Sequence, residues 1–378
     1  MIKTNVLIIG GGSVGLLTAF YLHKLGENDI IVVEKSYPGS GGTYRCATGV
    51  RASFTSMEHI ILMKRSIELW KELSNELGIK YSRSGYIWLL NNEKQLQDFK
   101  KYVAFQNRLG VPTRIISPSE VRDFVPSINY NEILAGVHDP LAGKADCFDT
   151  VINVLKYLRK NSIKIINNTK VEKIIVKNGR VCGVKTNRGD IEANNVVISA
   201  GYGSRDIVKS IGINLPLENL PRHALVTERF KKLFDPLLID WSTGSYIVQT
   251  FAGNFLIGCD IPEKPDGLLS TRVDFLFKAA EVWTRYFNWL REVNILRYWT
   301  GYYVMTPDHH PILGPISEIE GLYIATGFSG HGFMMAPVTG ELMANWIIYG
   351  KPSISIANNL TYERFKLGKM IRELAVFG

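Results

Sequence analysis

The chain has 378 residues, 46% hydrophobic and 21% charged, which is too long for one small core and suits about two globular domains. Its net charge of +9 is spread without a dense basic run, which argues for solvated surface over a nucleic-acid or anionic-membrane partner, and would assist capture of carboxylates, dinucleotide phosphates or an acidic electron acceptor. No apolar run reaches the ~18 residues needed to span a bilayer, and the first strand begins too early for a signal peptide, so a cytoplasmic location is expected.

The first element is a strand, Asn5 to Ile9, whose unbroken apolar run Val6 to Ile9 is that of a buried parallel strand. It stops at Gly10-Gly11-Gly12-Ser13-Val14-Gly15. In this pattern Gly10 takes the tight turn, Gly12 lets backbone amides approach a pyrophosphate, and Gly15 lets the next helix pack close. That helix carries Leu16, Leu17, Phe20, Leu22 and Leu25, ends at Gly26, and leads to a second strand, Ile30 to Val33, closed by Glu34. Glu34 stands 24 positions after Gly10, where a carboxylate accepts both ribose hydroxyls, and the phosphates are expected at the helix N-terminus. A lone GxGxxG is weak; strand, helix and acid together make a flavin enzyme the leading expectation.

A glycine loop, Gly39-Ser40-Gly41-Gly42-Thr43, precedes a long helix from about Met57 to Leu77, stopped by Gly78, with Ile60, Ile61, Ile67, Trp70, Leu73 and Leu77 as its core stripe. Gly85 to Leu90 reads as a strand, Glu93 to Arg108 as a helix ended by Gly110, and Ser117-Pro118-Ser119-Glu120 as a helix start. A helix follows from Phe148 to Arg159, then Ile163 to Ile166, and a hairpin of Lys170 to Val176 and Val181 to Lys185 around Asn178-Gly179. Val196 to Gly201 is a further buried strand. Strands rich in aromatics run from about His223 to Gly258, with a helix from Val273 to Phe287. The last 75 residues return to the opening style, with Leu322 to Thr326 as strand and Val338 to Ile348 as helix opened by Pro337. Cys46, Cys147, Cys182 and Cys259 form no CxxC pair and read as small buried hydrophobes. His309 and His310 point to opposite sides and have no matching pair, so no metal is expected.

Tyr44-Arg45-Cys46-Ala47-Thr48-Gly49-Val50-Arg51, Met63-Lys64-Arg65-Ser66-Ile67-Glu68-Leu69-Trp70, Gly143-Lys144-Ala145-Asp146, Thr306-Pro307-Asp308 and Gly327-Phe328-Ser329-Gly330-His331-Gly332-Phe333-Met334-Met335-Ala336-Pro337 together carry a resemblance. Over its whole length the chain resembles the glycine oxidase, sarcosine oxidase and D-amino acid oxidase group of flavoproteins. Within it the likeness is greatest to the β subunits of archaeal dye-linked L-proline dehydrogenase and of heteromeric sarcosine oxidase. The resemblance implies an α/β chain, α+β overall, of the glutathione-reductase type. It would comprise a Rossmann-like FAD-binding domain from 1–84, 145–218 and 300–378, and a mixed-sheet substrate domain from 85–144 and 219–299. It implies extended FAD held by Gly10, Gly12, Ser13, Val14, Gly15, Glu34, Lys35, Gly42, Thr43, Arg45, Thr48, Gly49, Val50, Val171, Ala200, Gly201, Gly330, His331, Gly332, Phe333 and Met334. It also implies a larger second subunit with FMN at the interface, a homo-oligomer being the alternative, and a dye, quinone or O2 as acceptor.

Three departures narrow the chemistry that the resemblance implies. Gly301 occupies the register of the covalent flavin cysteine of monomeric sarcosine oxidases, so FAD is expected to be non-covalent. Met334 stands at their substrate lysine, and the carboxylate-gripping arginine of glycine oxidase and D-amino acid oxidase falls in Gly301-Tyr302-Tyr303. An unpaired carboxylate in such a pocket costs several kcal/mol, so Arg51 is the first candidate anchor, with Tyr246 and His223 adding hydrogen bonds. Tyr246, Tyr303 and His223 form the expected substrate cage, His331 supports the flavin, and Met334 and Met335 line the cavity. Hydride transfer from the carbon beside the amine needs orientation more than a strong base. The expected reaction is oxidation of L-proline or sarcosine to an imine. The alternatives are a D-amino acid dehydrogenase or glycine oxidase, a non-catalytic electron-relay subunit, and an NAD(P)H-dependent flavoenzyme, which would need a second nucleotide site.

Overall fold

A computed structural model describes residues 2–376. Its first sheet grows outward from the opening strand Ile2–Ile9, whose Val6, Leu7 and Ile8 are fully buried. Parallel neighbours are Ile30–Val33 and then Lys164–Ile166 on one side, and Ile191–Ile198 and then Leu322–Thr326 on the other. Both faces are covered, which is why these strands read as continuous apolar runs. Ile312–Pro315 pairs antiparallel with Leu322–Thr326. The hairpin Val171–Lys177 and Arg180–Thr186 turns through Asn178 and Gly179, both at positive φ, and joins the sheet beside Ile191.

Helix Ser13–Lys24 lies against helix Gly332–Tyr349 at very short range. A Cβ on Gly340 would sit 2.7 Å from the Leu17 backbone carbon, so the two helices touch backbone to backbone there. The second helix begins at Gly332, with His331 as N-cap and Pro337 inside it, and not at Pro337 as the proline rule suggests. The glycine-rich segment winds into the first turn itself. Pro337 then removes the N–H that the Phe333 carbonyl would accept one turn on.

The second sheet has the strand order Ile295–Met305, Glu218–Arg229, Asn254–Cys259, Ser245–Gln249, Leu237–Asp240, Tyr86–Leu90, Ala135–Asp139 and Arg114–Ile116. All its pairs are antiparallel except Leu237–Asp240 with Tyr86–Leu90. Helix Val273–Tyr286 covers one face through Phe275, Ala279, Val282 and Trp283. The expected boundary at 299/300 falls within the strand Ile295–Met305, which stays in this sheet to its end. Elsewhere the expected helices and strands are present within a few residues. Helix Met57–Leu77 ends in a left-handed Gly78, and Pro118–Phe124 opens with a capping box of Ser117 and Glu120.

Filling the contact at Gly340 tests the helix pair. Gly340→Val is expected to lower the urea midpoint by the equivalent of about 2 kcal/mol or more, since extra atoms in a close-packed interface force backbone movement. An unchanged midpoint would show that the two helices do not need to touch.

Candidate active site

Three strands of the first sheet end at a common edge. After them come Gly10 to Val14, Glu34 to Tyr37 and Ser199 to Gly203, and these turns open a cavity of about 910 Å3. A side chain at Gly15 would collide with the Gly10 carbonyl and the Ser199 hydroxyl, so helix Ser13–Lys24 starts flush against the strand ends. Its N-cap, Gly12, offers no side-chain cap; the Ser13 N–H is met by Thr43 Oγ1 at 3.0 Å. Glu34 is buried and accepts from the backbone N–H groups of Gly11 and Ser36, each at 2.9 Å, which fixes the carboxylate beside the turn. Thr169, Lys170, Val171 and Glu172 line the same end. An open helix start flanked by a fixed carboxylate fits the pyrophosphate and ribose of a dinucleotide.

The cavity runs on between the sheets to Ala224, Leu237, Ile239, Tyr246 and Gly301 to Val304, with Gly327 to Met334 along its side. Here a second helix N-terminus, that of Gly332–Tyr349, lacks a side-chain cap and borders the cavity. Ser66 Oγ and Trp70 Nε1 donate to the Met334 carbonyl at 2.6 and 3.1 Å, so helix Met57–Leu77 braces this turn. Arg364 grips the Asp308 carboxylate with Nε at 2.7 Å and Nη2 at 3.0 Å, which gives the Thr306-Pro307-Asp308 motif a structural role.

Most of the expected site residues border this one cavity. Gly15 and Val50 instead pack behind it, and Met335 is fully buried in the core while Met334 faces the cavity. One residue of helix advance turns a side chain by about 100°, enough to carry Met335 away. His223 borders the cavity, but its ring is engaged on the side of the covering helix. Its Nε2 pairs with Glu263 Oε1 at 2.8 Å, its Nδ1 with Thr300 Oγ1 at 3.0 Å, and its ring stacks on Phe275 of the covering helix. Both nitrogens are therefore engaged, and strand alternation puts Arg222 and Ala224 on the opposite face. Arg51 is deeply buried and already donates to the carbonyls of Ser53 at 2.8 Å and Ala375 at 2.5 Å. It also lies against the Phe54 ring at 3.8 Å, and burial lowers its pKa to about 10, leaving it cationic at neutral pH. Burial pushes the Tyr86, Tyr246 and Tyr303 hydroxyls upward, with Arg51 opposing it at Tyr86 and Arg222 at Tyr303, so all three are neutral hydrogen-bonding groups.

The sequence reading did not single out Tyr86 or Arg222 as site residues, and it missed the segment around residue 375. Period-two alternation through Arg222, His223 and Ala224 was the available signal for Arg222; nothing local marked the others. The reading of His310 as lacking a partner is also corrected. His310, His59 and Glu373 bring ligand-type atoms within 4.8 Å of one another, all buried, from segments some 250 and 60 residues apart. Glu373 is occupied there as an acceptor for Thr55 Oγ1 and Ser56 Oγ, both at 2.6 Å. The four cysteines are free, and Cys46 lies close enough to Cys147 for their hydrogen bond, with burial, to raise the Cys147 thiol.

Fold and site together define a dinucleotide-dependent α/β oxidoreductase, with the nucleotide turn and a second, tyrosine-lined chamber sharing one cavity. The chain belongs to the FAD dependent oxidoreductase family, whose match covers residues 5–346. It is an FAD-dependent enzyme of the amino-acid and sarcosine oxidoreductase type, acting on CH–NH donors. It is similar to the L-proline dehydrogenase of P. horikoshii, with 36% identity and a TM-score of 0.94 over 98% of this chain and 100% of that one. It is 28% identical to the sarcosine oxidase subunit beta of Rhodobacter capsulatus over 100% of this chain and 92% of that protein. It is 26% identical to the human mitochondrial sarcosine dehydrogenase, of whose length it spans 40%. Among the described residues, no helix is long and apolar enough to cross a membrane.

The imidazoles behind the cavity make a pH prediction. Burial, followed by the Arg51 and Arg364 charges, pushes His59 down to about 3, and burial with neighbouring imidazoles lowers His310 and His331. An unfolded histidine titrates near 6.5, so below that pH the unfolded chain binds more protons and stability falls as pH falls. His59→Phe, which preserves stacking on Phe54, is expected to flatten the decline between pH 6 and 4 by ~1.4 kcal/mol per pH unit. Parallel denaturation curves for the two proteins across that range would show that His59 is not held neutral.

Proposed function

We propose that this chain oxidises the carbon–nitrogen bond of a small secondary amino acid, L-proline ahead of sarcosine, as a dehydrogenase. The observation that carries the reading is the continuity of the cavity: the dinucleotide turn opens without interruption into a chamber walled by neutral tyrosines and arginine. The likeness to the L-proline dehydrogenase of P. horikoshii over nearly the whole of both chains supports proline. Met334 in place of a lysine removes a cation, and the aromatic walls suit a ring.

In this reading the start of helix Ser13–Lys24 would hold the phosphates of non-covalent FAD, Glu34 its ribose, and Gly330 to Met334 would border its ring. Bound FAD supplies the acceptor for a hydride from the carbon next to the substrate nitrogen. The chain's own part is to orient and to exclude water. The uncapped start of helix Gly332–Tyr349 presents partial positive charge to the flavin edge. Tyr246 and Tyr303 would hydrogen-bond the amine, which must arrive without its extra proton because the carboxylates bordering the cavity among the described residues, Glu34, Glu172 and Asp206, belong to segments of the first sheet and its flanking helix. The helix-held carbonyl of Met334 stays with Ser66 and Trp70 and takes no part. The subunit designation of the sarcosine oxidase relative supports a multi-subunit assembly for this chain.

Anaerobic mixing of the FAD-loaded protein with L-proline, sarcosine, D-proline, glycine and D-alanine tests the proposal. L-Proline should bleach the flavin fastest, and the second-order rate constant should rise with pH at unit logarithmic slope as the substrate amine deprotonates. Bleaching by none of the five would sink the reading, and bleaching by D-alanine alone would move it to D-amino acids.

A further inference from the structure

We propose that Arg222 receives the substrate carboxylate and so sets the specificity for amino acids over simple amines. The inference rests on the amino-acid reading above and assigns one residue within it. The cations bordering the cavity are Lys35, Arg45, Arg51, Lys170 and Arg222. Lys35 donates to Tyr202 Oη, and Lys170 adjoins Val171; both stand at the nucleotide end. Arg45 is turned onto the carbonyls of Ser40 and Gly41, and Arg51 onto those of Ser53 and Ala375.

Arg222 differs. Its Nε lies 3.0 Å from Asp260 Oδ1, while neither Nη has a hydrogen-bond partner among the described residues. This is an ion pair without hydrogen-bond alignment at Nε, and it leaves the two Nη groups as a planar fork, the geometry that matches a carboxylate bidentately. The side chain is on the cavity side of the sheet. Arg222 pairs in register with Gly301, against which the Arg45 side chain packs, and its guanidinium carbon is 5.7 Å from the Tyr303 ring. Asp260 is largely enclosed and meets the guanidinium at Nε alone, so it orients the fork and leaves both Nη groups for another anion. A carboxylate on Arg222 would place the attached amine near Tyr303 and Tyr246, facing the turn at Gly330.

Binding is read without turnover, by the change that pyrrole-2-carboxylate causes in the visible spectrum of the FAD-loaded protein, with uncharged pyrrole as control. The expected result is that Arg222→Met weakens pyrrole-2-carboxylate binding by about 30-fold and Arg222→Lys by about fivefold, with pyrrole unaffected, since the bond lost is to a charged group. Arg51→Met, run beside them, should weaken it less than Arg222→Met. Binding by Arg222→Met within threefold of the unaltered protein, or a larger loss in Arg51→Met, would overturn the assignment. If Arg222→Met yields no yellow protein, an unchanged dissociation constant in Arg222→Lys overturns it equally. Carboxylate binding that depends on Arg222, in a protein whose flavin no amino acid bleaches, would support this assignment while sinking the functional reading.

Discussion

The cavity depends on one close contact: helix Ser13–Lys24 starts hard against the ends of two parallel strands. Any side chain at Gly15 would collide with the Gly10 carbonyl and the Ser199 hydroxyl. Because the helix cannot be moved outward by a side chain, its uncapped first turn stays level with the strand ends, where unsatisfied N–H groups accumulate. Glu34, pinned by the Gly11 and Ser36 amides, is set beside that turn by the same strand register. The position of the nucleotide end thus follows from backbone packing before any ligand is considered.

The other end is governed by burial. Tyrosines there are kept neutral, imidazoles behind them are kept neutral, and the Arg51 guanidinium keeps its charge. Such a chamber has few groups that change state near neutral pH, which suits a reaction whose difficult step belongs to the cofactor. The second sheet supplies this wall from strands far apart in sequence, and Tyr303 and Arg222 reach it because their strands are paired in register.

What was legible in the sequence was whatever has a local cause. The apolar run Val6 to Ile9, the glycine spacing and the acid at Glu34 each follow from neighbours within a few residues. The helix ends at Gly78 and the capping box at Ser117 do so too. Side-chain direction was less accessible. His223 and Arg222 are adjacent, and choosing which faces the cavity requires knowing which face of the sheet carries the covering helix. Met335 follows the same glycines as Met334, but both already lie in helix Gly332–Tyr349, where one residue of advance turns Met335 into the core. The cluster of His59, His310 and Glu373 has no local signature at all, since it forms only through tertiary packing.

Glu373 reaches Thr55 and Ser56 across 318 and 317 positions, and Ala375 reaches Arg51 across 324. These contacts have a bearing on timing during synthesis. A ribosome adds residues in order at roughly 5–20 per second, so the early dinucleotide turn exists well before the residues that finish the wall behind Arg51. Closing so long a loop is also among the slower events of folding. A nascent chain could thus offer the nucleotide end to a cofactor while the reaction chamber is still open to water. Competence for chemistry would come last, as a separate event from capture.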